Sequence, residues 1–260
     1  MSDLDFVRAD MLALDGLAHA FTTRSGGVSE APYDSLNLSW KDGDNKAHIA
    51  ENRARVTAAL GLDKLVFANQ VHGKTVHRVD AAPVGVWSVG EGDALMSDVP
   101  GLGLVAQTAD CTPILLFDLE TQACAAIHSG WRGTVQNIAG ETVAAMGREY
   151  GTQPDALFAA IGPAISAQNY RVGPEVLEQF EALFGTLDGL ALTRDAEGGA
   201  GLDVSEACRR QLVAAGIPQT QVERINACTF DDPRFFSSRR AKGGQFGGQG
   251  GIIGLTNQSA

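Results

Sequence analysis

Two histidines and one cysteine are the residues of this chain that are best placed to do chemistry. His72, Cys111 and His128 each lie near the end of a strand-like apolar run, where the loops of an α/β fold collect functional groups. They are widely separated along the chain, unlike the close ligand pairs of zinc fingers. Catalytic zinc sites use three scattered ligands and leave a fourth position open. One thiolate and two imidazoles suit zinc and also copper, so the spacing is consistent with an open metal site.

The same three residues allow two other interpretations. Cys111 could be a nucleophile, with a histidine as its base and Asp110 or another carboxylate as the orienting group. Alternatively, His72 and His128 would form hydrogen bonds at strand ends, and Cys111 would be a small buried apolar side chain. Spacing alone does not choose between these interpretations and the metal site.

The segment that follows His128 favours an anion. Residues 129–134 read SGWRGT and bring an arginine and two glycines to the predicted start of a helix. Free backbone N–H groups and the helix dipole attract phosphate at such a position, and Arg132 could add a bidentate contact. Arg24, in the segment TRSGG, allows the same interpretation. For both arginines the alternative is a surface side chain beside a glycine turn.

Two further segments are candidates for a place near the site. Asp93 follows Gly92 between predicted strands, where most aspartates cap turns. The glycine-rich segment 243–249 is predicted to be either a mobile tail or a loop that closes over the site. It is no dinucleotide fingerprint, because no strand–turn–helix context surrounds it. The other cysteines lie in apolar runs or a helix and are predicted to pack in the core; they are Cys124, Cys208 and Cys228.

The elements that must position these residues follow from apolar periodicity and turn signals. Strands are predicted at 19–23, 33–40, 65–68, 75–79, 102–106, 114–117, 123–127, 156–161, 222–227 and 251–255. Helices are predicted at 45–60 with Asp44 as N-cap, and at 134–150, 174–184 and 205–215. Several strands are adjacent, which favours mixed β-sheet layers flanked by helices over an alternating parallel sheet. We expect one α/β domain over residues 1–260, with a long loop at 187–201.

Composition excludes several classes of partner. The formal net charge is -11, and an acidic surface repels nucleic acid and disfavours a basic membrane-binding face. No segment approaches the ~20 apolar residues of a membrane helix, and the N-terminal segment lacks the features of a secretion signal. The cysteine spacing is not that of a disulfide scaffold. We therefore expect a cytoplasmic protein without nucleic-acid or membrane partners, either a monomer or a homodimer.

Five ordered blocks of this sequence resemble the YfiH-like family, which is also called the laccase-domain, multicopper polyphenol oxidase or peptidoglycan editing factor family. The blocks are NQVHG at 69–73, GDAL at 92–95, TADCTP at 108–113, HSGWRGT at 128–134 and AIGP at 160–163. Outer blocks also match: TTRSGGVS at 22–29, SLNL at 35–38 and FFSSRR at 235–240. The resemblance spans residues 21–255.

The resemblance implies a layered α/β domain, similar in architecture to cysteine hydrolases, and a zinc site formed by His72, Cys111 and His128. It implies that phosphate cleaves purine nucleosides (adenosine, inosine, guanosine or S-methyl-5'-thioadenosine) to the free base and a ribose 1-phosphate. Adenosine deamination is associated with the same site. Older descriptions of the family name copper-dependent oxidation of phenols, and another names a cytoplasmic hydrolase that edits peptidoglycan precursors.

The family blocks also imply roles for residues around the metal. Contacts to substrate and phosphate are expected from Arg24, Asn37, Arg132 and Arg239. Asp93 is expected to help place a proton on the purine nitrogen. Zinc would lower the pKa of bound water toward ~7, which suits attack on adenine C6.

Alternatives to a zinc enzyme make different demands on the chain. A multicopper centre needs many histidines, and the five in this chain favour a single zinc site with copper as the alternative metal. The non-enzyme alternative is a zinc-stabilised interaction module. It predicts that metal removal would unfold the protein.

Two positions depart from the family pattern. Ser129 stands where the family usually has alanine, a change we expect to be mild. Gly248 stands where the family usually has arginine. If that arginine contacts substrate anions, its absence alters phosphate affinity or substrate choice here.

Overall fold

Strands and helices alternate irregularly along residues 3–40, 43–84 and 88–257, which the computed structural model describes. The strands are β1 (Phe6–Val7), β2 (Leu17–Thr22), β3 (Lys64–Phe67), β4 (Val76–Arg78), β5 (Ala94–Ser97), β6 (Leu102–Thr108), β7 (Thr112–Asp118), β8 (Cys124–Ser129), β9 (Leu157–Ile161), β10 (Arg171–Val172), β11 (Ala200–Gly201), β12 (Val222–Arg224) and β13 (Gln249–Leu255). The α-helices are α1 (Lys46–Ala59), α2 (Trp131–Val135), α3 (Ile138–Tyr150), α4 (Pro174–Phe184) and α5 (Val204–Ala214).

Most of these strands form two mixed sheets. The first has the order β1-β2-β13-β6-β3 and is antiparallel except for the β6–β3 pair. The second has the order β12-β9-β7-β8-β5-β4, with parallel pairs at its two edges and antiparallel pairs between them. Because β6 and β7 belong to different sheets, the chain crosses from one sheet to the other at residues 109–111.

Three buried clusters show how the layers pack. Leu104 of the first sheet and Leu115 of the second lie in one cluster, so the sheets face each other. Ile114, the neighbour of Leu115 in β7, points the opposite way and packs with Met146 of α3. The outer face of the first sheet packs against α1 through Val56. The order of layers is helix, sheet, sheet, helix, and the predicted mixed α/β fold is confirmed.

The segment that leads into α1 differs from its prediction. Residues 33–40 form turns and extended coil, not a strand. The side-chain oxygen of Asn37 accepts hydrogen bonds from the backbone N–H groups of Ser39 and Gly248. These backbone groups are therefore bonded to a side chain and not to a neighbouring strand. The N-cap of α1 is Asn45, whose side chain accepts from Ala47 N, and not the predicted Asp44.

Two further predictions need correction. The helix predicted at 134–150 is two helices, α2 and α3, because Asn137 adopts a left-handed backbone with φ of 59° between them. Strand β5 lies in a stretch for which no strand is predicted; its four residues are all buried and pair with β8, and three of them also pair with β4. In the described ranges, no helix is both long and apolar enough to cross a bilayer.

Candidate metal centre

His72, Cys111 and His128 meet where the chain passes between the two sheets. His72 lies in the loop after β3, Cys111 in the crossing from β6 to β7, and His128 in β8. One ligand atom of each lies within 4.8 Å of the others. Cys111 Sγ is 3.8 Å from His72 Nε2, and the two imidazole rings stand edge to face with centroids 4.8 Å apart. The structure thus brings together the three ligands predicted from the sequence.

The register of β8 directs His128 into the centre. Along this strand Ile127 packs toward the helices, whereas Cys124 and Ala126 pack toward the other sheet. Because side chains alternate along a strand, His128 falls on the side of Cys124 and Ala126. It is only 3% exposed, so its ring is fixed between the two sheets.

Asp93 holds both histidines. Its Oδ1 accepts hydrogen bonds from His72 N at 3.0 Å and from His128 Nδ1 at 2.8 Å. Its Oδ2 accepts from Val71 N at 3.2 Å and Gly73 N at 2.7 Å. Because Nδ1 of His128 donates to Asp93, the other ring nitrogen is the one that can bind a metal, once it has lost its proton.

The Asp93 carboxylate itself is inaccessible, with a side chain 0% exposed. Burial by itself would raise the pKa of Asp93, but the hydrogen bond and charge of His128, together with backbone amides, lower it below its ordinary value. Asp93 is therefore a charged group whose bonds are directed at the ligands and not at a cavity.

The backbone is strained at two positions in the site. His72 has a φ of 61° and Asp110 a φ of 93°, values that residues other than glycine rarely adopt. At His72 this conformation turns three successive N–H groups, those of residues 71–73, onto one carboxylate. At Asp110 it precedes Cys111 directly. The strain therefore accompanies the placement of two of the three ligands.

The donor set fits a zinc ion. Nitrogen and sulfur ligands at ~2.1 and ~2.3 Å in tetrahedral geometry lie about 3.6 Å apart, close to the 3.8 Å between His72 Nε2 and Cys111 Sγ. Burial would raise the pKa of the Cys111 thiol, but the charge of His128 and hydrogen bonds from both histidines lower it below its ordinary value. The thiolate is thus accessible for metal binding, and the exposed His72 leaves one side open, as in catalytic zinc sites.

Asp110 does not orient a histidine. Its Oδ1 accepts from the Thr229 hydroxyl at 2.7 Å, and its Oδ2 accepts from three donors in the segment 237–239. These bonds fix that C-terminal segment beside Cys111. The sequence predicts either Asp110 or another carboxylate as the group that orients the histidine. In the structure the carboxylate that contacts His128 is Asp93.

The C-terminal glycine-rich segment is a loop over the site. Phe246, Gly247 and Gly248 line the cavity next to the three ligands. Gly248 N donates to Asn37 Oδ1 at 2.8 Å, and Leu38 N donates to the Gly248 carbonyl at 2.9 Å. Asn37 is fully buried, so the structure places it behind this loop and not in the cavity. Of the two alternatives predicted for the segment, the closing loop is confirmed at residues 246–248.

Two cavities adjoin Cys111. The larger, of about 250 Å³, contains all three ligands in its wall. The rest of its polar lining is uncharged: Ser39, Gln70, Gln107, Thr108 and Ser238. The smaller, of about 120 Å³, lies on the other side of Cys111 and is bounded by two aromatic rings and an arginine, which are Trp131, Tyr170 and Arg239.

Two arginines each lie over an aromatic ring of the smaller cavity, and one of them, Arg239, also lines the cavity itself. Arg239 is 5.0 Å from the centroid of Tyr170, and Arg132 is 4.3 Å from that of Trp131. Neither arginine forms an ion pair with a carboxylate of the described residues. Burial and the charge of Cys111 raise the pKa of Tyr170 to about 12, against the lowering effect of these two guanidiniums.

Arg24 has a different environment. Its guanidinium forms a salt bridge of 2.8 Å with Asp34 and lies 5.0 Å from the ring centroid of Phe236. It lines neither of the two cavities at Cys111. Of the four residues predicted to contact substrate or phosphate, the structure therefore places Arg239 in the wall of the smaller cavity and Arg132 beside it, over the ring of Trp131. Arg24 and Asn37 line neither cavity.

Sequence reasoning missed parts of this site. Gly130 is required by close approach, because a Cβ there would lie 2.8 Å from His72 Cδ2 and 3.0 Å from Cys111 Sγ. Gly130 lies only two residues after His128 in the HSGWRG block, and this position could have indicated that it lies close to the metal ligands. Tyr170 carries no such signal, since it enters the site from a loop after β9 that is distant in sequence from all three ligands.

Comparison with known proteins shows the family to which this chain belongs. Residues 18–256 match the family model described as multi-copper polyphenol oxidoreductase laccase. The chain belongs to this YfiH-like, laccase-domain family. A relative from Deinococcus radiodurans, named purine nucleoside phosphorylase, is 42% identical over 254 residues, which cover 97% of this chain and 93% of the relative.

Solved structures of YfiH-like proteins share the fold. The crystal structure of hypothetical protein YfiH from Bacillus licheniformis matches with a TM-score of 0.88 and 34% identity, over 92% of this chain and 93% of that one. YlmD from Geobacillus stearothermophilus matches with a TM-score of 0.89 and 31% identity, over 97% of this chain and 96% of that one. The family resemblance predicted from the ordered blocks is confirmed.

Proposed function

We propose that this protein is a zinc-dependent purine nucleoside phosphorylase. The observation that carries the proposal is the position of Cys111, which together with His72 and His128 forms an open metal site between an uncharged cavity and an arginine-flanked one. The name of the Deinococcus radiodurans relative supports the same activity. The substrates would be adenosine, inosine, guanosine or S-methyl-5'-thioadenosine, together with phosphate.

The larger cavity suits the nucleoside. Its lining offers uncharged hydrogen-bonding groups, which match the ribose hydroxyls and the base of a neutral substrate. A zinc ion held by His72, Cys111 and His128 would supply a Lewis acid that polarises an oxygen in this cavity. Asp93 would act through the two histidines as a positioning residue, because its carboxylate is buried and already accepts four hydrogen bonds.

The smaller cavity suits phosphate. Arg132 and Arg239, which have no carboxylate partner among the described residues, would neutralise the anion and orient it. In the reaction an oxygen of phosphate forms a bond to C1' of the ribose while the bond from C1' to the purine nitrogen breaks. The electron pair leaves with the purine, which takes up a proton, and the products are the free base and ribose 1-phosphate.

We propose that adenosine deamination accompanies phosphorolysis in the larger cavity. In that reaction water adds to C6 of adenine and ammonia leaves, which requires neither phosphate nor the smaller cavity. A substitution in the smaller cavity should therefore reduce phosphorolysis and leave deamination unchanged, since only phosphorolysis depends on both cavities.

A cysteine-hydrolase mechanism is the second candidate, and one observation favours it. Cys111, His128 and Asp93 lie in the order nucleophile, base and orienting carboxylate, with 2.8 Å between His128 Nδ1 and Asp93 Oδ1. Such an enzyme would be inactivated by alkylation of Cys111 and would be indifferent to chelators. The zinc mechanism predicts sensitivity to both treatments.

The experiment that tests the proposal replaces Cys111 with alanine. Products from adenosine are measured with and without phosphate, and bound zinc is measured by elemental analysis. We expect loss of zinc and of both activities. Cys228→Ala is the matched control, because Cys228 is also a half-buried free thiol but lines neither cavity at the metal centre. Full activity of Cys111→Ala would overturn the metal-site proposal.

A further inference from the structure

We infer that Tyr170 is a substrate-contacting residue whose hydroxyl donates a hydrogen bond to phosphate in the smaller cavity, between the guanidiniums of Arg239 and Arg132. The inference rests on the proposed function and adds a residue that neither the family blocks nor the charge pattern assigns. Its basis is the placement of the phenol, the charge around it and the size of the cavity.

Tyr170 is held firmly in the wall of this cavity. Its backbone N–H donates to the Ser166 carbonyl at 3.0 Å, and its carbonyl accepts from Leu202 N at 3.0 Å. Arg239 covers one face of the ring with its guanidinium carbon 5.0 Å from the centroid. The backbone N–H of Arg239 donates to Asp110 at 2.7 Å, and its guanidinium donates to the Arg171 carbonyl at 3.5 Å. These contacts hold the guanidinium beside the phenol ring.

The hydroxyl of Tyr170 is a donor available to a ligand. This hydroxyl has no hydrogen-bond partner among the described residues. The side chain of Tyr170 lines the same cavity as Cys111. A phenol is protonated at neutral pH and donates one hydrogen bond. A phosphate oxygen is a strong acceptor, and hydrogen bonds to charged groups are about twice as strong as those between neutral groups.

Charge and size favour phosphate as the occupant. The chain carries a net charge of -11, yet Arg239 lines this cavity and Arg132 lies over Trp131 in its wall, both without a carboxylate partner among the described residues. The carboxylate of Asp110 also lies in the wall, but it already accepts four hydrogen bonds from protein donors. The cavity volume of about 120 Å³ is about half that of the neighbouring cavity, which is about 250 Å³. The smaller of the two substrates, phosphate, is therefore assigned to the smaller cavity.

The test is Tyr170→Phe, which keeps the ring and its contact with Arg239 and removes only the hydroxyl. We expect KM for phosphate to rise about 10- to 100-fold, since one hydrogen bond to a charged group is lost. KM for the nucleoside should stay within about twofold. In addition, inorganic phosphate alone should raise the melting temperature of the zinc-loaded wild type more than that of the variant.

Tyr150→Phe is the matched control. Tyr150 also has an arginine over its ring, with the Arg78 guanidinium carbon 5.1 Å from the centroid, and its buried hydroxyl has no partner among the described residues. It lies at the end of α3 and lines neither cavity at the metal centre. This variant should leave KM for phosphate unchanged, which separates loss of a hydroxyl in general from loss of the one at the site.

Two results with Tyr170→Phe would overturn the inference. If KM for the nucleoside rose and KM for phosphate did not, the purine and not phosphate would occupy the smaller cavity. An unchanged KM for both substrates would show that the hydroxyl touches neither. A wild-type protein that forms no ribose 1-phosphate would overturn the proposed function itself, so the two failures are distinguishable.

Discussion

Replacement of Asp93 by asparagine should weaken both the fold and metal binding. The carboxylate accepts four hydrogen bonds, two at each oxygen, from residues 71–73 and from His128. Asparagine keeps the shape but turns one oxygen into an amino group, which cannot accept. At least two buried donors then face another donor, and the loop that carries His72 loses its anchor.

The magnitude of the Asp93→Asn effect follows from these contacts. Each buried donor left without an acceptor costs about 1–3 kcal/mol, so two of them lower the free energy of unfolding by about 2–6 kcal/mol. Zinc affinity should fall about 10- to 100-fold, the usual effect when the carboxylate behind a metal-binding histidine is altered. We expect urea unfolding in the presence of a chelator to report the first effect, and competition with a chromophoric chelator to report the second.

Asp118→Asn provides the control for Asp93→Asn. Asp118 is also fully buried and accepts from Glu120 N, Thr121 N and the Thr121 hydroxyl, but it is the last residue of β7, at the end of the strand away from the metal centre. This variant should lose stability without losing zinc affinity. If Asp93→Asn bound zinc within twofold of the wild type, the assignment of Asp93 as the positioning carboxylate would be refuted.

Two further substitutions and one pH dependence test other parts of the account. Gly130→Ala should weaken zinc binding at least tenfold, because its Cβ would lie 2.8 Å from the His72 ring and 3.0 Å from Cys111 Sγ; unchanged zinc affinity by competition would contradict this. Gly248→Arg adds a cation at the larger cavity and should lower KM for phosphate if the two cavities communicate during the reaction, as steady-state kinetics would show. The pKa of Asp118 lies below its ordinary 3.8 because, although burial raises it, hydrogen bonds from the Thr152 and Thr121 hydroxyls and from backbone amides outweigh that effect. The ionised Asp118 therefore stabilises the fold above about pH 4, and the stability difference between wild type and Asp118→Asn should narrow as pH falls below that value in urea titrations.

The fold was predictable where a pattern repeats along one element. The apolar runs at 114–117 and 123–127 correspond to β7 and β8, whose side chains are buried on both faces between two cores. Pro174 marks the start of α4 as the first-turn proline predicts. Asn137 could not be found in this way, because the left-handed residue that divides α2 from α3 lies inside a stretch of uniform helical composition.

The candidate site was predictable only in part, because its geometry depends on contacts between distant segments. The identities of His72, Cys111 and His128 came from ordered sequence blocks, and the structure shows them within 4.8 Å of one another. The four bonds of Asp93 come from two other segments of the chain and leave no periodic signal. Tyr170 reaches the site through the fold alone, so spacing along the sequence carries no information about it.

The most direct test of the central claim compares ribose 1-phosphate formation by chelator-treated protein before and after zinc is restored. We predict a metal-free protein that stays folded by thermal melt and is inactive, and that regains phosphorolysis when one zinc ion per chain is bound. Unfolding on metal removal would instead indicate a structural zinc. Undiminished phosphorolysis by the metal-free protein, abolished only by alkylation of Cys111, would contradict the zinc mechanism and favour a cysteine nucleophile.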